Sequence, residues 1–144
     1  KYFTTYTLIA MVLGYIIGII AIPKFISQSR ALAISAATGI VFSICAIFTT
    51  GYTSVLFIAL LGLANALMWP AIWPLAIHGL GKYTKIASAM LIMGIAGGAL
   101  LPLLWGRLSM VHAIGHQQAY FILIPCYLYI LYYSMNGYRI AHWK

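Results

Sequence analysis

Residues 54–78 read Ser-Val-Leu-Phe-Ile-Ala-Leu-Leu-Gly-Leu-Ala-Asn-Ala-Leu-Met-Trp-Pro-Ala-Ile-Trp-Pro-Leu-Ala-Ile-His. The run carries no charge, and its one side-chain amide is Asn65. Crossing about 30 Å of hydrocarbon takes roughly 20 apolar residues as a helix, and this stretch is long enough. It lacks the period-two alternation and the roughly 10-residue strands of a membrane barrel. Pro70 and Pro74 lie inside it, and each removes a backbone donor. The helix is therefore predicted to kink, leaving carbonyls that need a protein partner or a water-filled cavity.

Working outward, the same reading gives five apolar segments, at 2–22, 31–50, 54–78, 86–106 and 118–138, separated by short polar breaks. Of the 144 residues 65% are hydrophobic and 6% charged, and the mean hydropathy is +1.03. A soluble domain carries about a quarter charged residues of both signs, so the composition excludes that class. It excludes disorder as well, because disordered chains are polar. The chain is predicted to be an all-α membrane protein of about five transmembrane helices.

All eight charges are Lys or Arg, and Asp and Glu are absent. That removes paired-carboxylate acid–base catalysis, Asp-containing triads and carboxylate metal sites. No Ser/His or His/Glu constellation has helical spacing, and no metal-ligand spacing appears, so neither an enzyme, a cofactor nor a metal is expected. Cys45 and Cys126 sit in apolar runs, where a thiol behaves as a small hydrophobe. The cations are scattered rather than clustered on one polar face, which argues against a nucleic-acid partner. If the segments alternate sides, Lys24, Arg30, Lys82, Lys85, Arg139 and Lys144 share one side, against Lys1 and Arg107 on the other. The positive-inside rule then puts the C-terminus in the cytoplasm.

Asn65, Trp69 and Trp73 are spaced four residues apart and fall within about 80° on one helical face. An indole stacks on the C–H face of a sugar and an amide hydrogen-bonds its hydroxyls, so this face is a candidate substrate site at a broken helix. The competing reading is a kinked packing helix with an interhelical Asn. Tyr15, with Met11 one turn away, is a further candidate for a pore-facing position. Gly14/Gly18 and Gly94/Gly98 have the spacing of small residues that let helices approach closely, and packing is the reading adopted for both pairs. Tyr127, Tyr129, Tyr132, Tyr133 and Tyr138 read as an interfacial aromatic belt. His112, His116 and His142 read as solvated, and His78 as the end of the third helix.

The stretch from Asn65 through Trp69-Pro70 and Trp73-Pro74, followed by Gly79-Leu80-Gly81-Lys82-Tyr83-Thr84-Lys85, Gly97-Gly98 and Pro102, resembles the fucose–galactose–glucose:proton symporters. These are a branch of the major facilitator superfamily, and Gly14-Tyr15-Ile16-Ile17-Gly18 and Ile22-Pro23-Lys24 are similar to it as well. The resemblance implies a twelve-helix fold of two six-helix halves. Residues 1–144 would then be a partial C-terminal half, its five segments being the eighth to twelfth helices. It also implies a bacterial inner-membrane sugar transporter of glucose, galactose or fucose type, working by proton-coupled alternating access. Asn65 and Trp69 are the positions the resemblance carries over as sugar contacts, and Trp73 and Tyr15 come from the face argument alone. The partners implied are a sugar, protons, the lipid bilayer and the missing N-terminal half. With no carboxylate here, the proton-coupling residues are expected outside this chain. Trp69 and Pro74 depart from the family pattern. The alternative is a small self-assembling or accessory integral membrane protein without transport activity of its own.

Overall fold

The computed structural model describes residues 2–111 and 115–141; Lys1, His112, His142 and Lys144, on which parts of the charge and histidine readings fall, lie outside the described residues. Every long apolar run becomes helix. Helix α1 is Phe3–Lys24, closed by a basic residue that complements the negative end of the helix dipole. Helix α2, Gln28–Phe48, opens after Ser27, whose extended backbone ends the preceding turn. The third run divides into α3, Gly51–Ala66, and α4, Met68–Ile77, on either side of Leu67. The prolines account for the division. Pro70 has no N–H for the Ala66 carbonyl, nor Pro74 for that of Pro70, and the ladder resumes with the Ala71 N–H on the Leu67 carbonyl at 3.1 Å.

After His78 the chain turns at Gly79, whose φ of +79° lies in the left-handed region that glycine enters freely. The fourth run gives α5, Thr84–Gly94, and α6, Gly97–Ser109. Between them the bonds tighten to three-residue steps, Ile95 to Ile92, Ala96 to Met93 and Gly98 to Ile95. The last run contains α7, Gly115–Gln118, a 3-10 turn at Ala119–Ile122, and α8, Leu123–Met135. A final 3-10 turn spans Gly137–Ala141. All regular structure among the described residues is helical.

Four helical stretches are long and apolar enough to cross a membrane: Phe3–Ile22, Gln28–Phe48, Gly51–Ile77 and Gly81–Ser109. The segment 118–138 is helical too, though in pieces. Its α-helical part is the 13 residues of α8, about 20 Å, entered through a 3-10 turn. Pro125 falls in the first turn of α8, where a missing N–H is tolerated, and the helix runs on through it. The segment nevertheless runs antiparallel to α2 over its length. Gln117 reaches the carbonyls at the C-terminal end of α2, and Tyr138 and Arg139 line a cavity with Ser29 and Arg30 at its N-terminal end.

Helix α2 is the centre of the molecule, with α3, α4 and α8 against it and α1 lying on α3. The core is formed by Leu32, Ala36, Leu61, Met68, Ala71 and Tyr127. In lipid no hydrophobic force separates helix from solvent, so close packing of small residues has to hold the helices together. Along α1 the buried positions are Ala10, Gly14 and Gly18, one turn apart. A Cβ added at Gly14 would stand 2.7 Å from Ala66 Cβ, and one at Gly62 would stand 2.6 Å from the Thr7 carbonyl oxygen. Met11 packs on Gly62 and so faces α3 rather than an opening. Gly94 and Gly98, read from sequence as a second packing pair, have no heavy atom within 4 Å of such a Cβ among the described residues. These two glycines instead flank the break between α5 and α6, and much of the apolar surface there, including Met90, Met93, Leu100 and Leu103, is exposed.

The carbonyls that end α2 have no helical partner and need donors from elsewhere. Ser54 Oγ donates to the Ala46 carbonyl at 2.6 Å. Gln117 Nε2 donates to the Ala46 and Ile47 carbonyls at 3.0 Å each and to that of Thr49. One amide thereby fastens the start of the last segment to the end of α2.

Candidate functional site

The proline break sets the surroundings of Asn65, which sits at the end of α3, one residue before the last position of that helix. Its side chain is exposed, and Oδ1 accepts a hydrogen bond from the Tyr127 hydroxyl at 3.0 Å. With one lone pair used, the amide keeps both N–H donors and a second lone pair for another partner. Tyr127 is itself 4% exposed, so its ring is held in the core while its hydroxyl orients the amide. Room for the ring comes from Gly39 on α2, where a Cβ would stand 2.6 Å from Tyr127 Cε1.

Trp69 and Trp73 follow on α4 with ring centroids 5.6 Å apart and planes tilted by 57°. Trp69 is 44% exposed, and Trp73 is half-buried. The third span thus carries an exposed amide before its break and a pair of tilted indoles after it. That pairing suits a small ligand bearing both hydroxyls and a C–H face. Nothing in the group can accept a proton at neutral pH. His78, the nearest titratable side chain beyond it in sequence, is exposed and caps the end of α4, its backbone N–H on the Pro74 carbonyl at 3.1 Å.

Tyr15 lies elsewhere. It is 39% exposed and borders a cleft of about 310 Å³ with Gly18, Ile19, Ile22, Gln28, Leu67 and Pro70. The structure therefore brings Tyr15 together with Pro70 and the Leu67 break, while Asn65, Trp69 and Trp73 are not among the residues lining that cleft. Gln28 adds an amide to its polar edge.

Tyr127 is the residue that sequence reasoning misplaced. It was grouped with an interfacial belt, whereas only its neighbours Tyr129 and Tyr132 are exposed, at 70% and 54%. The signal was present in its spacing. Leu123, Tyr127, Ile130 or Leu131, and Ser134 recur at helical intervals along one side of α8, and that side packs against α2. His116, read as solvated, is exposed but stands edge-on to Trp105, with centroids 6.3 Å apart. No group of three or more His, Cys, Asp or Glu side chains stands together among the described residues.

Comparison with known proteins adds an independent line. The chain is 38% identical over 124 residues, or 86% of its length, to a glucose/galactose transporter of Brucella abortus. It is 33% identical over 129 residues to a putative glucose/galactose transporter of Helicobacter pylori, covering 88% of this chain. It is 28% identical over 124 residues, 83% of its length, to an L-fucose-proton symporter of Haemophilus influenzae. The matched region is 29%, 31% and 29% of those relatives, so the chain spans about 30% of the length of the curated relatives it matches. No family model and no solved structure matches it. The chain is an all-helical integral membrane protein homologous to the glucose/galactose transporters and the L-fucose-proton symporter.

Proposed function

We propose that this chain forms one wall of the sugar cavity of a proton-coupled transporter, as part of its C-terminal half. The observation that carries the reading is the proline-broken third span, with an exposed Asn65 amide on one side of its break and the Trp69–Trp73 pair on the other. Discontinuous helices near the bilayer midplane are where secondary transporters bind substrate, and alternating access rocks one half of the molecule against the other around that site. The relatives' names, glucose/galactose transporter and L-fucose-proton symporter, set the substrate class. Asn65 donates to sugar hydroxyls, Trp69 and Trp73 stack on the ring, and Tyr15 contributes a hydroxyl from the cleft at the Leu67 break. The chain's match to only about 30% of its relatives' length supports the presence of further helices in the complete assembly.

The 144 residues contain no Asp or Glu, so proton coupling falls to groups outside them. The five-crossing topology is supported by the antiparallel run of the last segment along α2. With the excess of cations at the ends carrying Lys24, Arg30 and Arg139, it puts the C-terminus in the cytoplasm of a bacterial inner membrane. The test is uptake of labelled galactose, glucose and fucose into proteoliposomes holding this chain alone, with and without an inward proton gradient. No gradient-driven uptake is expected. Sustained accumulation by the 144 residues would overturn the assignment of coupling to other parts of the transporter.

A further inference from the structure

Tyr138 and Arg139 follow the end of α8, and Ser29 and Arg30 stand in the first turn of α2. The four residues share a cavity of about 270 Å³ that also includes Ser134 and Asn136. Neither guanidinium has a carboxylate to pair with in this chain, which has no Asp or Glu. Arg139 is turned toward Tyr138, with Nε donating to the phenol oxygen at 3.1 Å. Two more features make the pocket electropositive. The opening amides of a 21-residue helix meet it at Ser29 and Arg30, and the first turn of that helix contains no acidic residue. The cavity is open to the surface and has room for a polyatomic group.

Depth in the bilayer narrows the ligand. The cavity lies where α2 begins and the last segment ends, and the ends of apolar membrane-crossing helices fall at the headgroup level, the depth of lipid phosphates. We infer that the cavity between Ser29/Arg30 and Tyr138/Arg139 binds a phosphate group, namely the phosphodiester of an anionic phospholipid. The two guanidiniums bind its oxygens in paired hydrogen bonds, Asn136 and Ser29 bind the headgroup hydroxyls, and the lipid ties the start of α2 to the end of the last segment.

The test uses the full chain purified in a neutral detergent, with native mass spectrometry reading bound lipid as a function of added phosphatidylglycerol or phosphatidylcholine. Phosphatidylglycerol is expected to bind about tenfold more tightly, the preference falling on Arg pairing and local charge. The R30Q/R139Q double variant removes that preference. K82Q/K85Q lowers the net charge by the same amount and keeps it. Equal affinity for the two lipids, or equal loss in the two double variants, overturns the site. Inorganic phosphate is the second arm. If millimolar phosphate displaces phosphatidylglycerol completely, the phosphate chemistry stands and the lipid as its source is overturned; no displacement supports the lipid. Should R30Q/R139Q not fold, R30K/R139K keeps the charge and loses the planar fork, and an unchanged lipid preference in it overturns the assignment.

Discussion

The Tyr127 hydroxyl donates to Asn65 Oδ1 at 3.0 Å, joining the last helix to the third span two residues before its break at Leu67. The bond spends the buried tyrosine's only polar group on an amide that otherwise stands exposed. Tyr127→Phe keeps the ring in its place over Gly39 and removes the bond alone. It is expected to lower stability by about 0.5–1.5 kcal/mol. Tyr127→Ala also empties the ring's volume and is expected to lower it by about 3–5 kcal/mol. Thermal unfolding in detergent, followed by circular dichroism, reads both.

Glycines with the same spacing are expected to respond in opposite ways. Gly39→Ala drives a methyl into the rigid Tyr127 ring, and Gly14→Ala meets Ala66 and the Leu63 backbone. Each is expected to destabilise by about 1–3 kcal/mol. Gly18→Ala meets the movable end of the Leu67 side chain and is expected to be milder. Gly98→Ala meets nothing and gains helix propensity, about 0.5–1 kcal/mol in this chain. Unfolding midpoints of the four variants check the order.

Gln117 closes the end of α2 with a single amide. Gln117→Ala leaves the carbonyls of Ile47 and Thr49 without that donor and is expected to cost about 1–3 kcal/mol. Gln117→Glu is expected to be worse, because it sets a carboxylate against carbonyl oxygens. Hydrogen exchange at the C-terminal turn of α2, faster in both variants, locates the effect.

Pro74 is the simplest lever on the broken span. Pro74→Ala restores a donor to the Pro70 carbonyl and is expected to raise helix stability by up to about 3 kcal/mol. A spin-label pair on either side of Leu67, at positions 56 and 76, is expected to move apart as the span straightens.

What the sequence revealed follows the range of the physics involved. The division at Leu67 was legible because a proline's missing donor acts four residues back in the same helix. The 3-10 entry to the last helix was hidden by an unbroken apolar run. Tyr127 was not legible as a core residue. Its burial depends on Gly39, 88 positions earlier, lacking a Cβ, which is a tertiary fact. Gly14/Gly18 and Gly94/Gly98 carry one spacing in two settings, a helix seam and a helix break, and spacing alone does not separate them. Of the residues expected on one face, Trp69 and Trp73 stand 5.6 Å apart on α4, while Asn65 lies on α3 across the Leu67 break. That Tyr15 borders a cleft with Leu67 and Pro70 depends on how α1 packs, which no local pattern records.

Sugar contact at Asn65 and Trp69 underlies the proposed function. Its most direct measurement is thiol labelling at a cysteine placed by Trp69→Cys in the complete transporter, with Cys45 and Cys126 replaced by Ser. The claim predicts that a transported sugar slows the labelling several-fold while a non-transported sugar leaves the rate unchanged. An unchanged rate with saturating substrate, in a variant that still transports, would contradict it.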